Sequence, residues 1–281
     1  MSGGWRIKEF AARTGTPETT LRAWERRYGL VAPARSAGGY RLYSADDERR
    51  VLAMQAHMER GLAAGEAASL ARDGPAALPP LSRDPAGLVE ALLAATASYD
   101  AMALVAALDA AFALGTAAGM RDVLLPALGE IGRRWDRGEL SVAHEHFASH
   151  LCERRLLAAA SGWENGGGPL ALLACPPGER HALGLLCFGV ALADRGWRVS
   201  YLGADTPVAD LEQATARLGP AVVVLSATHP DRFTDAAEPL RALADRVRTL
   251  VGGAGATAGV ARRLRAERLT GDPVTAAAGL G

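Results

Sequence analysis

The chain has 281 residues, with 31 basic and 31 acidic side chains and no formal net charge. At roughly 100–200 residues per domain, that length accommodates two domains or three small ones. Lys8 is the sole lysine, so neither a Walker P-loop, which needs Lys after its glycines, nor a Schiff-base enzyme has a candidate residue.

Charge by segment removes the apparent neutrality. Residues 1–43 carry eight basic and three acidic groups, a net of +5, and residues 1–72 carry twelve against eight, a net of +4. Residues 73–169 carry seven against twelve, a net of −5, and residues 170–281 twelve against eleven, a net of +1. The divisions fall at DGPAALPPLSRDPAG (residues 73–87) and NGGGP (residues 165–169), whose proline and glycine density reads as linkers. Three modules without internal repeats are expected: residues 1–72, 88–164 and 169–281.

In the first module, Ile7 to Thr14 reads as a helix ended by Gly15. Thr16 offers an N-cap oxygen for a second helix, with Pro17 at its first position, where the missing N–H costs nothing. This helix, PETTLRAWERRYG, places Leu21, Trp24 and Tyr28 on one inward stripe. Thr19, Arg22 and Arg26 point elsewhere, free to meet a DNA major groove. Val31 to Tyr43, broken at Gly38-Gly39, reads as a β-hairpin wing carrying Arg35, Tyr40 and Arg41. Ser44 and Asp47 form a capping-box pattern for the next helix. A small three-helix bundle with merely solvated arginines is the bland alternative. The run IKEFAARTGTPETTLRAWERRYGL followed by GGYRLYS resembles the winged helix-turn-helix of the MerR family. That resemblance implies that Thr19, Arg22 and Arg26 read operator DNA while Arg35, Tyr40 and Arg41 contact phosphates.

Residues 86–163 are rich in Ala and Leu with helical periodicity and suit a four-helix bundle. His144, His146 and His150 invite a zinc reading, but an HExxH motif would need histidine at Ala148. Trp135, Glu145 and His146 follow the pattern Trp-x9-Glu-His. This resembles the cap of CarH-type B12-dependent photoreceptor repressors, which implies contact of the Trp with the upper corrin face and of the Glu-His pair with a 5′-deoxyadenosyl group. One departure stands out: after that Trp the family has a histidine that ligates cobalt in the light-adapted state, and this chain has Asp136. His144 or water could substitute, or cobalamin could be sensed without a light step.

From Pro169 onward, strands at 170–175, 197–203, 221–227 and 249–253, with a weaker one near Leu269, alternate with helices at about 181–195, 207–218, 235–247 and 257–267. This alternation predicts a doubly wound, flavodoxin-like parallel sheet, which takes ligands beyond the carboxyl ends of its strands. There lie Glu179, His181 and Gly184, then Ser226, Thr228 and His229, then Gly252 and Gly253. The set resembles the cobalamin-binding domain, with Glu179 where Asp is usual. The resemblance implies that His181 is the lower cobalt ligand, oriented by Glu179. Gly184, Gly252 and Gly253 would leave room for the cofactor's nucleotide tail, and Ser226 and Thr228 would hydrogen-bond it. A phosphorylation receiver domain is excluded by Pro176-Pro177, by Ser226 and by the lack of any late lysine.

The fold class expected is therefore multi-domain α and α/β. The function expected is a cobalamin-dependent, light-responsive transcriptional repressor, not an enzyme. Adenosylcobalamin, with methylcobalamin as the other option, would stabilise a homotetramer on double-stranded operator DNA. A light-independent cobalamin-sensing regulator and a corrinoid methyl carrier are the alternatives, and a DNA-reading head argues against the carrier. No apolar run reaches the roughly 18–20 residues that span a bilayer. Cys152, Cys175 and Cys187 form no CxxC motif, and the N-terminus has no signal-peptide pattern. Cytoplasmic localisation without membrane association is expected.

Overall fold

The computed structural model describes residues 4–35, 38–59, 62–73 and 84–280. The chain divides into two compact units, Met1–Pro80 and Leu81–Gly281.

In the first unit, α1 (Ile7–Thr14) and α2 (Glu18–Tyr28) end at Gly15 and Gly29, both in the left-handed conformation that glycine adopts without strain. The N-cap of α2 is Pro17, not Thr16. Proline forces the preceding residue out of helical geometry, and the Thr16 hydroxyl instead donates to the Thr14 carbonyl and accepts from Gln55 Nε2 at 2.8 Å. Strands β1 (Ala34–Arg35) and β2 (Arg41–Leu42) pair antiparallel as the wing. Helix α3 (Ala45–Glu59) starts from the expected box, with Asp47 accepting from the Ser44 backbone at 2.8 Å and the Ser44 hydroxyl accepting from the Asp47 N–H. A further helix, α4 (Ala64–Asp73), packs on α3 and was not anticipated. Phe10, Leu21, Leu30, Tyr43, Val51 and Met54 form the core, with Phe10 stacked on Tyr43 at 4.4 Å.

Of the expected linker at 73–87, residues 74–83 lie outside the described residues, and the end of it is helix. Asp84 caps α5 (Pro85–Ala97) by accepting from the Gly87 N–H. An Asp-Pro pair here is a helix start rather than a breaker. With α6 (Ala101–Phe112), a third helix and α9 (Val142–Ala159), α5 forms the expected four-helix bundle. The third helix runs through α7 (Thr116–Ala118), a π-helical turn (Gly119–Leu124) and α8 (Leu125–Asp136). The widened turn immediately precedes Pro126, which lacks the N–H an α-helix would use. At Gly119 a Cβ would lie 2.5 Å from the Ala111 carbonyl oxygen, so glycine lets this helix approach α6.

The sheet of the second unit is wholly parallel: β3 (Leu170–Ala174), β4 (Arg198–Gly203), β5 (Val222–Ser226), β6 (Thr249–Gly252) and β7 (Glu267–Arg268). Its order β4-β3-β5-β6-β7 is the flavodoxin-like one. Crossover helices are α10 (Leu183–Ala193), α11 (Val208–Leu218), α12 (Pro230–Thr234), α13 (Ala237–Ala244) and α14 (Ala258–Leu264), with α15 (Pro273–Ala278) packed on α10. Two expectations change. The helix expected over 235–247 is two pieces, because Pro230 opens a short helix of its own. The helix expected over 181–195 begins at Leu183, which leaves His181 in the loop.

Bundle and sheet share one apolar core, from Leu88, Leu108 and Leu124 through Cys152 and Leu156 to Leu186 and Leu173. Residues 165–169 are correspondingly a tight connection. A Cβ at Gly168 would sit 2.1 Å from the Gly196 carbonyl oxygen.

Candidate cofactor site and nucleic-acid face

The carboxyl end of β3 runs into Cys175-Pro176-Pro177, and a turn with Gly178 at φ +77° delivers Glu179. Asp205, in the loop after β4, accepts from the Gly178 N–H at 2.6 Å, and its own N–H donates to the Glu179 carbonyl. Sequence reasoning passed over Asp205, which lies in no motif.

Glu179 is 1% exposed. Its carboxylate accepts from the His181 N–H at 2.8 Å and the Thr228 N–H at 2.6 Å. It also engages His181 Nδ1 at 2.6 Å and the Thr228 hydroxyl at 2.8 Å. Burial alone would push its pKa up, but these bonds stabilise the charged form more strongly and bring it down to about 2. An ionised carboxylate only accepts, so His181 Nδ1 carries a proton, and in the neutral ring Nε2 is the nitrogen that offers a lone pair. The His181 side chain is 67% exposed, in a cleft of about 360 Å³ with Arg180, Asp205, His229 and Arg232. A neutral imidazole with one nitrogen held by a carboxylate and the other open is the donor set a transition metal takes.

A second cavity of about 390 Å³ lies alongside β5 and β6, lined by Gly184, Phe188, Val224, Ser226, Gly252 and Gly253 among others. Cβ atoms at Gly184 and Gly252 would meet only ordinary neighbours, Pro273 at 3.8 Å and Leu269 at 3.4 Å, so these glycines keep the slot wide. Gly253 answers a different demand. It has φ +85°, and a Cβ there would lie 2.4 Å from the Ala227 carbonyl oxygen. Thr228 also departs from expectation, because its hydroxyl and N–H both serve Glu179 rather than the slot. An open imidazole next to an apolar slot suits a corrinoid with a displaced nucleotide tail.

In the bundle, Trp135 ends α8 with 47% exposure, so it is not bundle core. Glu145 accepts from the Ser149 hydroxyl at 2.6 Å and engages His146 Nδ1 at 2.6 Å, and the His146 side chain is 75% exposed. The bundle thus holds a second carboxylate–imidazole pair. His144 is occupied: Nδ1 accepts from the Ser141 N–H at 3.2 Å, and the ring stacks on Tyr99 at 4.1 Å. Use as a ligand would cost His144 these contacts. Asp136 is exposed. Among the described residues, no group of three or more His, Cys, Asp or Glu is placed to hold a metal ion, so the zinc reading of His144, His146 and His150 finds no support.

On the first unit, Thr19, Arg22 and Arg26 are exposed along α2, and Arg35 and Tyr40 are exposed on the wing. The Arg6 guanidinium lies over the Tyr40 ring at 4.7 Å. Arg41 is less available than expected, because its Nε is held at 3.1 Å by both Glu25 oxygens. Binding of duplex DNA should weaken steeply with added salt, since phosphate neutralisation releases counterions. Arg35→Ala should flatten a log–log plot of affinity against salt by about 1 unit, whereas Arg22→Ala should cost about 1–3 kcal/mol of preference for operator over random duplex; an unchanged preference would remove α2 from the groove.

Three family models match the chain. Residues 5–73 match the MerR HTH family regulatory protein model, residues 88–159 a B12 binding domain and residues 169–279 another B12 binding domain. The HTH-type transcriptional repressor CarA of Myxococcus xanthus is 40% identical over 260 residues, covering 89% of this chain and 87% of that protein. The HTH-type transcriptional repressor CarH of the same organism is 34% identical over 270 residues, covering 90% and 89%. The Methanosarcina barkeri monomethylamine corrinoid protein has the same fold over 69% of this chain and 97% of its own, with a TM-score of 0.59 at 16% identity. Among the described residues no helix is long and apolar enough to cross a membrane. A DNA-reading head joined to two B12-binding modules is the make-up of a regulator and not of an enzyme, and the chain belongs to the family of MerR-type transcriptional regulators with B12-binding domains.

Proposed function

We propose that this protein is a light-responsive transcriptional repressor whose grip on operator DNA depends on an adenosylcobalamin-stabilised oligomer. The observation that carries the reading is His181, with Nδ1 fixed by buried Glu179 and Nε2 open to the cleft. His181 would be the lower cobalt ligand, with Glu179 orienting it and Thr228 completing the carboxylate's bonds. Gly184, Ser226, Gly252 and Gly253 would border the nucleotide tail. Trp135, Glu145 and His146 would cover the upper face. When bound, adenosylcobalamin would supply a photolabile cobalt–carbon bond. The chain's own part is to hold imidazole and carboxylate in place and to shield the upper face from water.

Thr19, Arg22 and Arg26 would read the major groove, with Arg35, Tyr40 and Arg41 on phosphates. A small head binds weakly by itself, and a tetramer multiplies its effective affinity by engaging several half-sites together. That is why assembly would control repression. Asp136 favours a second reading, a cobalamin sensor without a light step. Size-exclusion chromatography with in-line absorbance, in darkness and after green light, separates the two. The first reading expects a tetramer in the dark that dissociates on illumination. An assembly and spectrum indifferent to light would leave the sensor and sink the photoreceptor.

A further inference from the structure

The slot beside β5 and β6 is apolar inside, where Leu185, Phe188, Val224 and Leu269 line it, and its lining includes one charged residue, Arg268 of β7. Arg268 Nε donates to the Ala256 carbonyl oxygen at 2.5 Å, which sets the direction of the guanidinium. Both Nη groups are left without a partner among the described residues. The neighbouring carboxylate, Glu267, is bound bidentately by Arg248 at 2.8 and 2.9 Å, and no carboxylate lines the slot. Ser226 and Thr270 add hydroxyls to the same lining.

An apolar slot with one uncompensated cation on an exposed residue has a definite chemical complement: a flat, uncharged aromatic base joined to a single negative charge. The nucleotide tail of a complete corrinoid has that make-up, a base on a ribose joined to the ring through one phosphodiester. A guanidinium held by Nε presents two Nη donors in a plane, which suits two phosphate oxygens. We propose that Arg268 pairs with the phosphodiester of the tail and makes the slot selective for complete corrinoids over those lacking the nucleotide. The inference rests on the cobalamin reading above and adds a residue that determines which corrinoid is held.

The test is titration calorimetry in darkness on the full chain with adenosylcobalamin and with adenosylcobinamide, which keeps the corrin ring and upper group but lacks the base and ribose phosphate. Arg268→Ala should weaken adenosylcobalamin about five-fold at low salt, as expected for a partly exposed ion pair, and leave adenosylcobinamide unchanged. The difference should shrink in high salt, and Arg268→Lys should recover part of it. Equal weakening of both corrinoids would mean that Arg268 acts only through the Ala256 contact, and the proposal would fall. An unchanged adenosylcobalamin affinity would overturn it equally. If the unmodified protein bound neither corrinoid, the cofactor reading would fall and take this inference with it.

Discussion

Replacing His181 with alanine should abolish tight binding of adenosylcobalamin in its base-off form while leaving the fold intact. The imidazole is 67% exposed, and Glu179 keeps three of its four hydrogen-bond partners when it is removed. The folding cost should therefore stay near the roughly 1 kcal/mol of a single hydrogen bond. The binding cost should exceed the roughly 10–100-fold typical of losing a group that only orients a metal ligand, because His181 would be the ligand itself. Absorption spectroscopy reads the coordination state directly, and thermal unfolding of the cofactor-free protein supplies the control. Equal affinity and an unchanged base-off spectrum in the variant would show that His181 is not the ligand.

Glu179→Gln should do damage of another kind, to fold and site together. A glutamine oxygen can still accept from His181, but its amide NH2 would then face the Thr228 N–H, donor against donor, in a buried place. Holding the carboxyl pKa at about 2 against an ordinary 4.5 corresponds to about 3 kcal/mol of stabilisation. The sign follows from the depression. The contribution is complete above about pH 4.5 and is lost as the pH falls towards 2, where the folded-state carboxyl also protonates. Chemical denaturation of the cofactor-free protein should show this slope over that interval, and the glutamine variant should lack its share of it. Cobalamin affinity should fall by roughly 10–100-fold, because a neutral amide oxygen, pushed by the donor clash at Thr228, holds the Nδ1 proton more weakly than the carboxylate does. A variant as stable as the parent at pH 7, with the same acid slope, would refute the role assigned to Glu179.

The sheet was legible because its strands are short apolar runs at regular spacing, and the ligand edge follows from topology alone. That places Glu179, His181 and Ser226 at or beyond the strand ends from the sequence alone. Thr228 differs from expectation for a reason of distance. A side chain 49 residues from Glu179 can face either of two neighbouring cavities, and only the packed loop shows that it turns to the carboxylate. Gly253 and Gly252 look alike in sequence, yet one serves the backbone turn and the other the width of the slot. Residues 165–169 illustrate the same limit, since glycines that permit close approach and glycines that permit freedom read identically. Arg268 gave no local signal, lying on a two-residue edge strand with no periodicity to read. His144 matched a histidine cluster by spacing, but its ring nitrogen caps a helix start instead.

The exposed side of α2 that would face the groove presents two guanidinium groups and a hydroxyl, and Lys8 is the only ammonium side chain in the protein. Guanidinium keeps its proton throughout the physiological range and is not a substrate for lysine acetylation. The charge of such a face would not change with a fall in pH within the physiological range or with lysine acetylation. If the protein acts as proposed, occupancy on DNA would be set by how many heads are presented at once, and so by the unit that would meet the cofactor.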